Sequence, residues 1–161
     1  MPETISNTSP LLYLHQLGQL DLLRELYGRI LVPVAVASEL VEGVRRGHSV
    51  PVVADLPWAE VVAVAQDPIR RLIVDLDAGE REVIALALER PGCRVILDDA
   101  AARRHASVLG LQLTGTLGVL VRAKSHGLLL AVEPVLDRLQ TLGFRIAPGV
   151  RDAILRRADE R

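Results

Sequence analysis

The 161-residue sequence is short of several things that proteins use for particular tasks, and each shortage excludes something. A single cysteine, Cys93, allows neither an internal disulfide nor a cysteine-ligated zinc centre, and it suits a reducing, cytoplasmic setting. Lys124 is the only lysine among 19 basic side chains, so arginine, whose planar fork pairs bidentately with phosphate and carboxylate, supplies nearly all the positive charge. One Trp, two Tyr and one Phe leave little material for stacking nucleobases. A formal charge of −1 argues against an indiscriminate polyanion binder, because such affinity comes from summed positive charge. The pairs Arg45-Arg46, Arg70-Arg71 and Arg103-Arg104 stay open as local basic patches or as merely solvated charge. The longest apolar run, Ile30 to Ala37, contains Pro33 and is far too short to span a bilayer, and Met1-Pro2-Glu3-Thr4 lacks the basic-then-apolar pattern of a signal peptide. The expectation is a soluble, cytoplasmic protein without membrane contact.

Half of the residues are apolar, mostly Leu, Val, Ile and Ala, and no internal repeat or low-complexity segment interrupts the chain. That is enough for one domain over residues 1–161, with a core at 4–146 and a polar tail or final helix at 147–161. The most informative stretch is Val95-Ile96-Leu97-Asp98-Asp99, an apolar run that stops at two carboxylates and passes into the helix formers Ala100 to His105. In open parallel sheets ligands gather at the carboxyl ends of strands, so an acid pair there stands where chemistry is done. A helix cap with a solvated neighbour accounts for the same two residues equally well.

Taken in order, Thr4-Ile5-Ser6 reads as a first strand, and Asn7-Thr8-Ser9-Pro10 as a corner at which Ser9 caps a helix and Pro10 enters its first turn. Leucines at 11, 14, 17, 22, 23 and 26 have helical spacing, with Gly18 and Asp21 splitting them into two helices, and that stripe reads as core. Arg29 to Val32 is a second strand, and Pro33 starts a helix with an apolar stripe of Val36, Leu40 and Val44. Glu39 lies beside that stripe and is either surface charge or a site residue. Trp58 to Ala65 reads as an edge strand, ended by a turn at Asp67-Pro68. Asp77-Ala78-Gly79-Glu80 has the spacing of a capping box, which accounts for Glu80 as well as any functional role does. Leu111-Gln112-Leu113 is a further strand, Thr116 is an N-cap candidate, and Phe144-Arg145-Ile146 reads as an edge strand. Glycines at 110, 127 and 143 are placed to end helices. His48 and His105 read as surface residues, although His105 could also face a groove.

Alternating short strands and amphipathic helices predict a three-layer α/β sandwich around a central, mainly parallel, five-stranded sheet. Asn7, Asp98, Asp99 and Thr116 then lie along one end of the sheet, and Glu39 and Glu80 lean over it. Carboxylates that converge without a cationic partner repel one another, and oxygen-only donors favour Mg²⁺ or Mn²⁺ over zinc.

The motifs Ser6-Asn7-Thr8-Ser9-Pro10-Leu11, Pro33-Val34 with Glu39, Leu76-Asp77-Ala78-Gly79-Glu80, Ile96-Leu97-Asp98-Asp99 with Ala102-Arg103, and Gly115-Thr116-Leu117-Gly118, in that order, resemble the PIN domain, and more narrowly its DUF3368 branch, close to VapC-type toxins. The resemblance implies an Mg²⁺- or Mn²⁺-dependent endoribonuclease, the toxin of a toxin–antitoxin pair. It implies catalytic Glu39, Glu80, Asp98 and Asp99; metal ligation by these four and Asn7; RNA contacts from Arg45, Arg46, Arg103 and Arg104; and auxiliary Ser9 and Thr116. Its implied partners are an RNA substrate, a small antitoxin and a second copy of the chain, with the apolar amino-terminal helices offered as docking surface. Asn7 departs from the general pattern, which has aspartate, and an asparagine oxygen brings no charge to a cation. The alternative is therefore a non-catalytic PIN-like binding module with a weakened metal site. A phosphoryl-transfer or phosphate-sensing protein ranks last, because it needs a well-placed lysine and Lys124 is the only one.

Overall fold

The computed structural model describes residues 2–66 and 75–161. The turn expected at Asp67-Pro68 and the pair Arg70-Arg71 lie outside the described residues. The chain runs β1 (Thr4–Ser6), α1 (Thr8–Gln16), α2 (Asp21–Tyr27), β2 (Ile30–Pro33), α3 (Val34–Arg45), a 3₁₀ turn, β3 (Ala59–Val62), α4 (Ala78–Glu89), β4 (Arg94–Ile96), α5 (Ala100–Val108), β5 (Gln112–Thr114), α6 (Thr116–Ser125), α7 (Glu133–Thr141) and α8 (Pro148–Arg157). The five strands pair in the order β3-β2-β1-β4-β5, parallel throughout, and the helices flank the sheet in a three-layer α/β fold. The order reverses at β1: the chain first builds outward through β2 to β3, then returns to add β4 and β5 on the other side. Such a switch point leaves a crevice beyond the carboxyl ends of the two central strands, β1 and β4.

The strands are short, and the middle of the sheet is apolar because both of its faces are covered, whereas the edge strands β3 and β5 carry the exposed Glu60 and Gln112. Ile5, Ile30, Leu31, Val32, Val95 and Ile96 are fully buried. The leucines of α1 and α2 pack into the chain's own core, as their helical spacing predicts, with Leu11, Leu14 and Leu23 at 0% exposure.

Some expectations need correction. Val44, in the last turn of α3, does not complete the stripe of Val36 and Leu40 but is 46% exposed. Helix α1 begins two residues earlier than a Ser9 cap would allow: Asn7 holds the extended N-cap geometry, and Ser9 lies inside the first turn. Gly115 is the N-cap of α6, which makes Thr116 its first helical residue. Phe144-Arg145-Ile146 joins no strand, and β5 ends the sheet on that side. Its alternation arises because Phe144 meets Tyr13 edge-on at 5.1 Å while Ile146 also packs on the core. Gly110, Gly127 and Gly143 do end helices, each at positive φ. Helix α8 contributes Ile154 and Leu155 to the core.

Candidate functional site

In a parallel β/α unit the helix starts at the carboxyl end of the preceding strand and runs back. The amino termini of α1, α3, α5 and α6 therefore gather at one end of the sheet. Helix α4 joins them, because its last turn connects through Pro91-Gly92 to the start of β4. The acids expected at the site all stand at this end, each held by a partner from another element or from its own cap.

Glu39, in the second turn of α3, accepts a hydrogen bond from Thr8 Oγ1 at the start of α1 and another from Gly79 N–H in the first turn of α4, at 3.2 Å. A Cβ on Gly79 would fall 2.6 Å from Glu39 Oε1, so only glycine lets this carboxylate reach the helix amino terminus. Burial raises the Glu39 carboxyl above its ordinary value, aided by the Asp77 and Glu82 charges and opposed by the two hydrogen bonds. Glu80 forms the expected capping box with Asp77, donating N–H to Asp77 Oδ1 at 2.8 Å and accepting Asp77 N–H at 3.0 Å. Its carboxyl is pushed up to about 7, chiefly by burial, and further by the charges of Asp77, Asp99 and Glu39. Three carboxylates acting on a fourth mean that this end of the sheet carries more negative charge than it neutralises.

The acid pair divides its work. Asp99 is the N-cap of α5, accepting Ala102 N–H at 3.0 Å, and is exposed. Asp98 turns inward toward β5: Thr116 donates its N–H at 2.8 Å and its hydroxyl at 2.6 Å, and the Ser9 hydroxyl donates at 3.1 Å. A cap is thus the right account of one carboxylate, and the other is bound by Ser9 and Thr116 rather than solvated. Between these groups lies Asn7, 5% exposed, with its N–H on Ile96 O and its side-chain Oδ1 buried without a hydrogen-bond donor among the described residues. An unpartnered buried carbonyl oxygen costs about 1–3 kcal/mol.

Asn7, Glu39, Glu80, Asp98 and Asp99 are brought to one end of the sheet, but among the described residues no three Asp, Glu, His or Cys side chains are close enough to hold one metal ion as they stand. The donor chemistry nevertheless fits a hard divalent cation: all donors are oxygens, one of them is buried and unsatisfied, and the surrounding charge is uncompensated.

The arginines part company. Arg103 donates Nη1–H to Leu97 O at 2.8 Å and lies against Asp98, while Arg104 is exposed one residue further along α5. Arg45 and Arg46 are at the last turn of α3, toward the opposite end of the strands, and both bind Glu42 at 3.0 Å. That places them away from the acids, because α3 runs antiparallel to the strand it follows. His48 is an exposed loop residue, and His105 pairs with Asp75 at 3.0 Å. Lys124, near the far end of α6, binds Glu160 at 3.0 Å, which removes the lysine that a phosphoryl-transfer site requires.

Sequence reasoning missed Thr8, Gly79 and Glu82. The carboxylate of Glu82 accepts Ala35 N–H at 3.0 Å and so ties α4 to the start of α3. Only Thr8 carried a signal, by lying next to Asn7 at the first strand-to-helix corner. No helix among the described residues is long and apolar enough to cross a membrane.

No curated protein matches this chain. The sequence model of the DUF3368 family, described as a PIN domain, matches residues 3–160. That match takes in every strand and every acid at the end of the sheet, and on it the chain belongs to the DUF3368 family of PIN domains.

Proposed function

We propose that the chain is a divalent-cation-dependent endoribonuclease that hydrolyses RNA phosphodiesters and serves as the toxin of a toxin–antitoxin pair. Its family implies nuclease-type activity on nucleic acid, and PIN domains generally use divalent metal ions. The observation that carries the finer reading is the buried, unpartnered Asn7 Oδ1 standing among Glu39, Glu80, Asp98 and Asp99 at the switch point of the sheet. In this reading Mg²⁺ or Mn²⁺ is held by Asn7, Glu39, Glu80 and Asp99 with Asp98 in support. When bound it polarises a phosphoryl oxygen and lowers the pKa of a water.

The chain's own residues do the positioning. Thr8 and Gly79 fix Glu39, Ser9 and Thr116 fix Asp98, and Arg103 is held by Leu97 O with most of its N–H donors left for a phosphate. Arg104 adds charge on the same helix. A single domain over residues 1–161, a small antitoxin and a homodimer belong to the same reading, and a short antitoxin-like neighbouring reading frame is the observation that supports the pair.

Cleavage of labelled RNA tests the reading. It is expected with Mg²⁺ or Mn²⁺, absent with chelator, and lowered by about 10²-fold or more in Glu39→Gln and Asp99→Asn. Asn7→Asp is expected to raise metal affinity. Full activity in both acid variants overturns the assignment. One observation favours a second reading, a non-catalytic binding module: asparagine stands at the first acidic position, where it contributes no charge. Calorimetry that detects no Mg²⁺ or Mn²⁺ binding at millimolar metal would select it.

A further inference from the structure

On the β5 side of Asp98 the surface opens into a cavity of about 580 Å³ that the acidic site does not use. Three arginines line it, Arg103 from α5, Arg145 from the segment after α7 and Arg157 from the last turn of α8. Leu117, Phe144 and Val150 supply the apolar part of its lining. The only carboxylate on the lining is Asp98, and both of its oxygens are already engaged by Ser9 and Thr116. None of the three arginines has an ion-pair partner among the described residues. Three guanidinium charges against one satisfied carboxylate call for an anion, and the apolar lining calls for something flat and poorly hydrated beside it.

The cavity is built rather than incidental. Arg103 is pinned by Leu97 O at 2.8 Å, and a Cβ at residue 115 would stand 2.8 Å from its Nη1 and 2.9 Å from Asp98 Oδ1, so Gly115 keeps room for both groups. Tyr13 fixes the Phe144 ring edge-on. A second depression of about 530 Å³ shares Asp98, Arg103 and Leu113 with the first and carries Arg104 on its far side. Arg104, Arg103, Arg145 and Arg157 thus mark a basic track that passes Asp98.

We propose that this cavity is a nucleotide subsite, which takes the residue of a single-stranded RNA next to the scissile phosphodiester. Its base lies against Leu117, Phe144 and Val150, and its flanking phosphates meet Arg145 and Arg157. The proposal rests on the ribonuclease reading and deepens it, since a shaped pocket for one base gives the enzyme a preference in where it cuts. Apart from Leu117 in the first turn of α6, the selecting residues come from α8 and the segment before it, outside the strand ends that carry the acids.

Arg145 and Arg157 are exposed, so Arg145→Ala and Arg157→Ala test the track with little risk to folding, and Val150→Trp fills the base site. The probe is a short fluorescein-labelled single-stranded oligoribonucleotide in chelator, followed by anisotropy across a salt series. Each arginine variant is expected to lower the slope of log affinity against log salt by about 0.7, the loss of one phosphate contact. Val150→Trp is expected to weaken binding about tenfold, the size of one lost base-stacking contact, and to change the positions cut when Mg²⁺ is restored. The subsite is overturned if the intact protein does not bind the probe, or if all three variants bind it and cut as the intact protein does, as they would if the cavity served to dock a protein. Asp99→Asn and Glu39→Gln, assayed in parallel, separate the two readings: their loss of cleavage beside unchanged pocket variants removes only the subsite, whereas absence of metal-dependent cleavage by the intact protein removes the nuclease reading.

Discussion

At Gly79 a missing side chain decides where a charged one can go. Alanine is favoured over glycine inside a helix by about 1 kcal/mol, but here its Cβ would displace the Glu39 carboxylate, which gives up a charged hydrogen bond of about 1.5–3 kcal/mol. Because the group that must move is the end of a flexible side chain, Gly79→Ala is expected to cost only about 1 kcal/mol in urea unfolding. The same variant is expected to lose cleavage by about tenfold or more, because it disturbs the seating of a proposed ligand. A variant that is destabilised yet fully active would show that Glu39 does not need its bond to α4. At this scale the sequence was legible over short separations and silent over long ones. The Asp77–Glu80 box and the Asp99 cap span three residues and follow from local spacing. The partners of Glu39 lie 31 and 40 residues away, and no periodicity connects them.

Whole elements decide which charges can cooperate. Helices that follow parallel strands send their first turns to the acidic end of the sheet and their last turns away from it, which is why Arg103 lies near Asp98 while Arg45 and Arg46 neutralise Glu42 at the other end. The carboxyl-terminal tail, read from sequence as a final helix or a segment for docking on a partner, docks on its own chain. Glu160, with a side chain 13% exposed, accepts N–H bonds from Val132 at 2.7 Å and Glu133 at 3.0 Å and an ion pair from Lys124. It thereby satisfies the start of α7 from 27 residues away. Burial alone would raise the Glu160 carboxyl, but the two backbone donors and Lys124 outweigh it and hold it below its ordinary value. A depressed carboxyl contributes stability that is present above its unfolded value of 4.5 and lost as pH falls through the lower folded value. Glu160→Ala is therefore expected to destabilise by about 2–3 kcal/mol at neutral pH, and Glu160→Gln to flatten the acid side of the stability profile. Equal stability of variant and intact protein at pH 7 in denaturant titrations would disprove the cap.

For the molecule as a whole, folding concentrates like charge, and a ligand that relieves it must stabilise the folded state. If a divalent cation binds only the folded chain, the gain is about 2.7 kcal/mol at a free concentration one hundred times Kd, or about 5–10 °C in Tm for a domain of this size. Calorimetric melts are expected to shift upward with Mg²⁺ or Mn²⁺ in the intact protein and to stay put in Glu39→Gln, and an equal shift in both would place the ion elsewhere. Hydrophobic period and turn residues by themselves determined the parallel α/β class, five strand positions to within a few residues, the capping box and the helix ends at Gly110, Gly127 and Gly143, because each is set by neighbours within a few residues. Only the tertiary structure decided that Asp98 faces Ser9 and Thr116, that Arg145 and Arg157 join Arg103 around one cavity and that Phe144 packs instead of pairing. Those outcomes depend on which strands become neighbours at the switch point, and neighbours across a sheet are chosen by burial of the whole core rather than by any local run of residues.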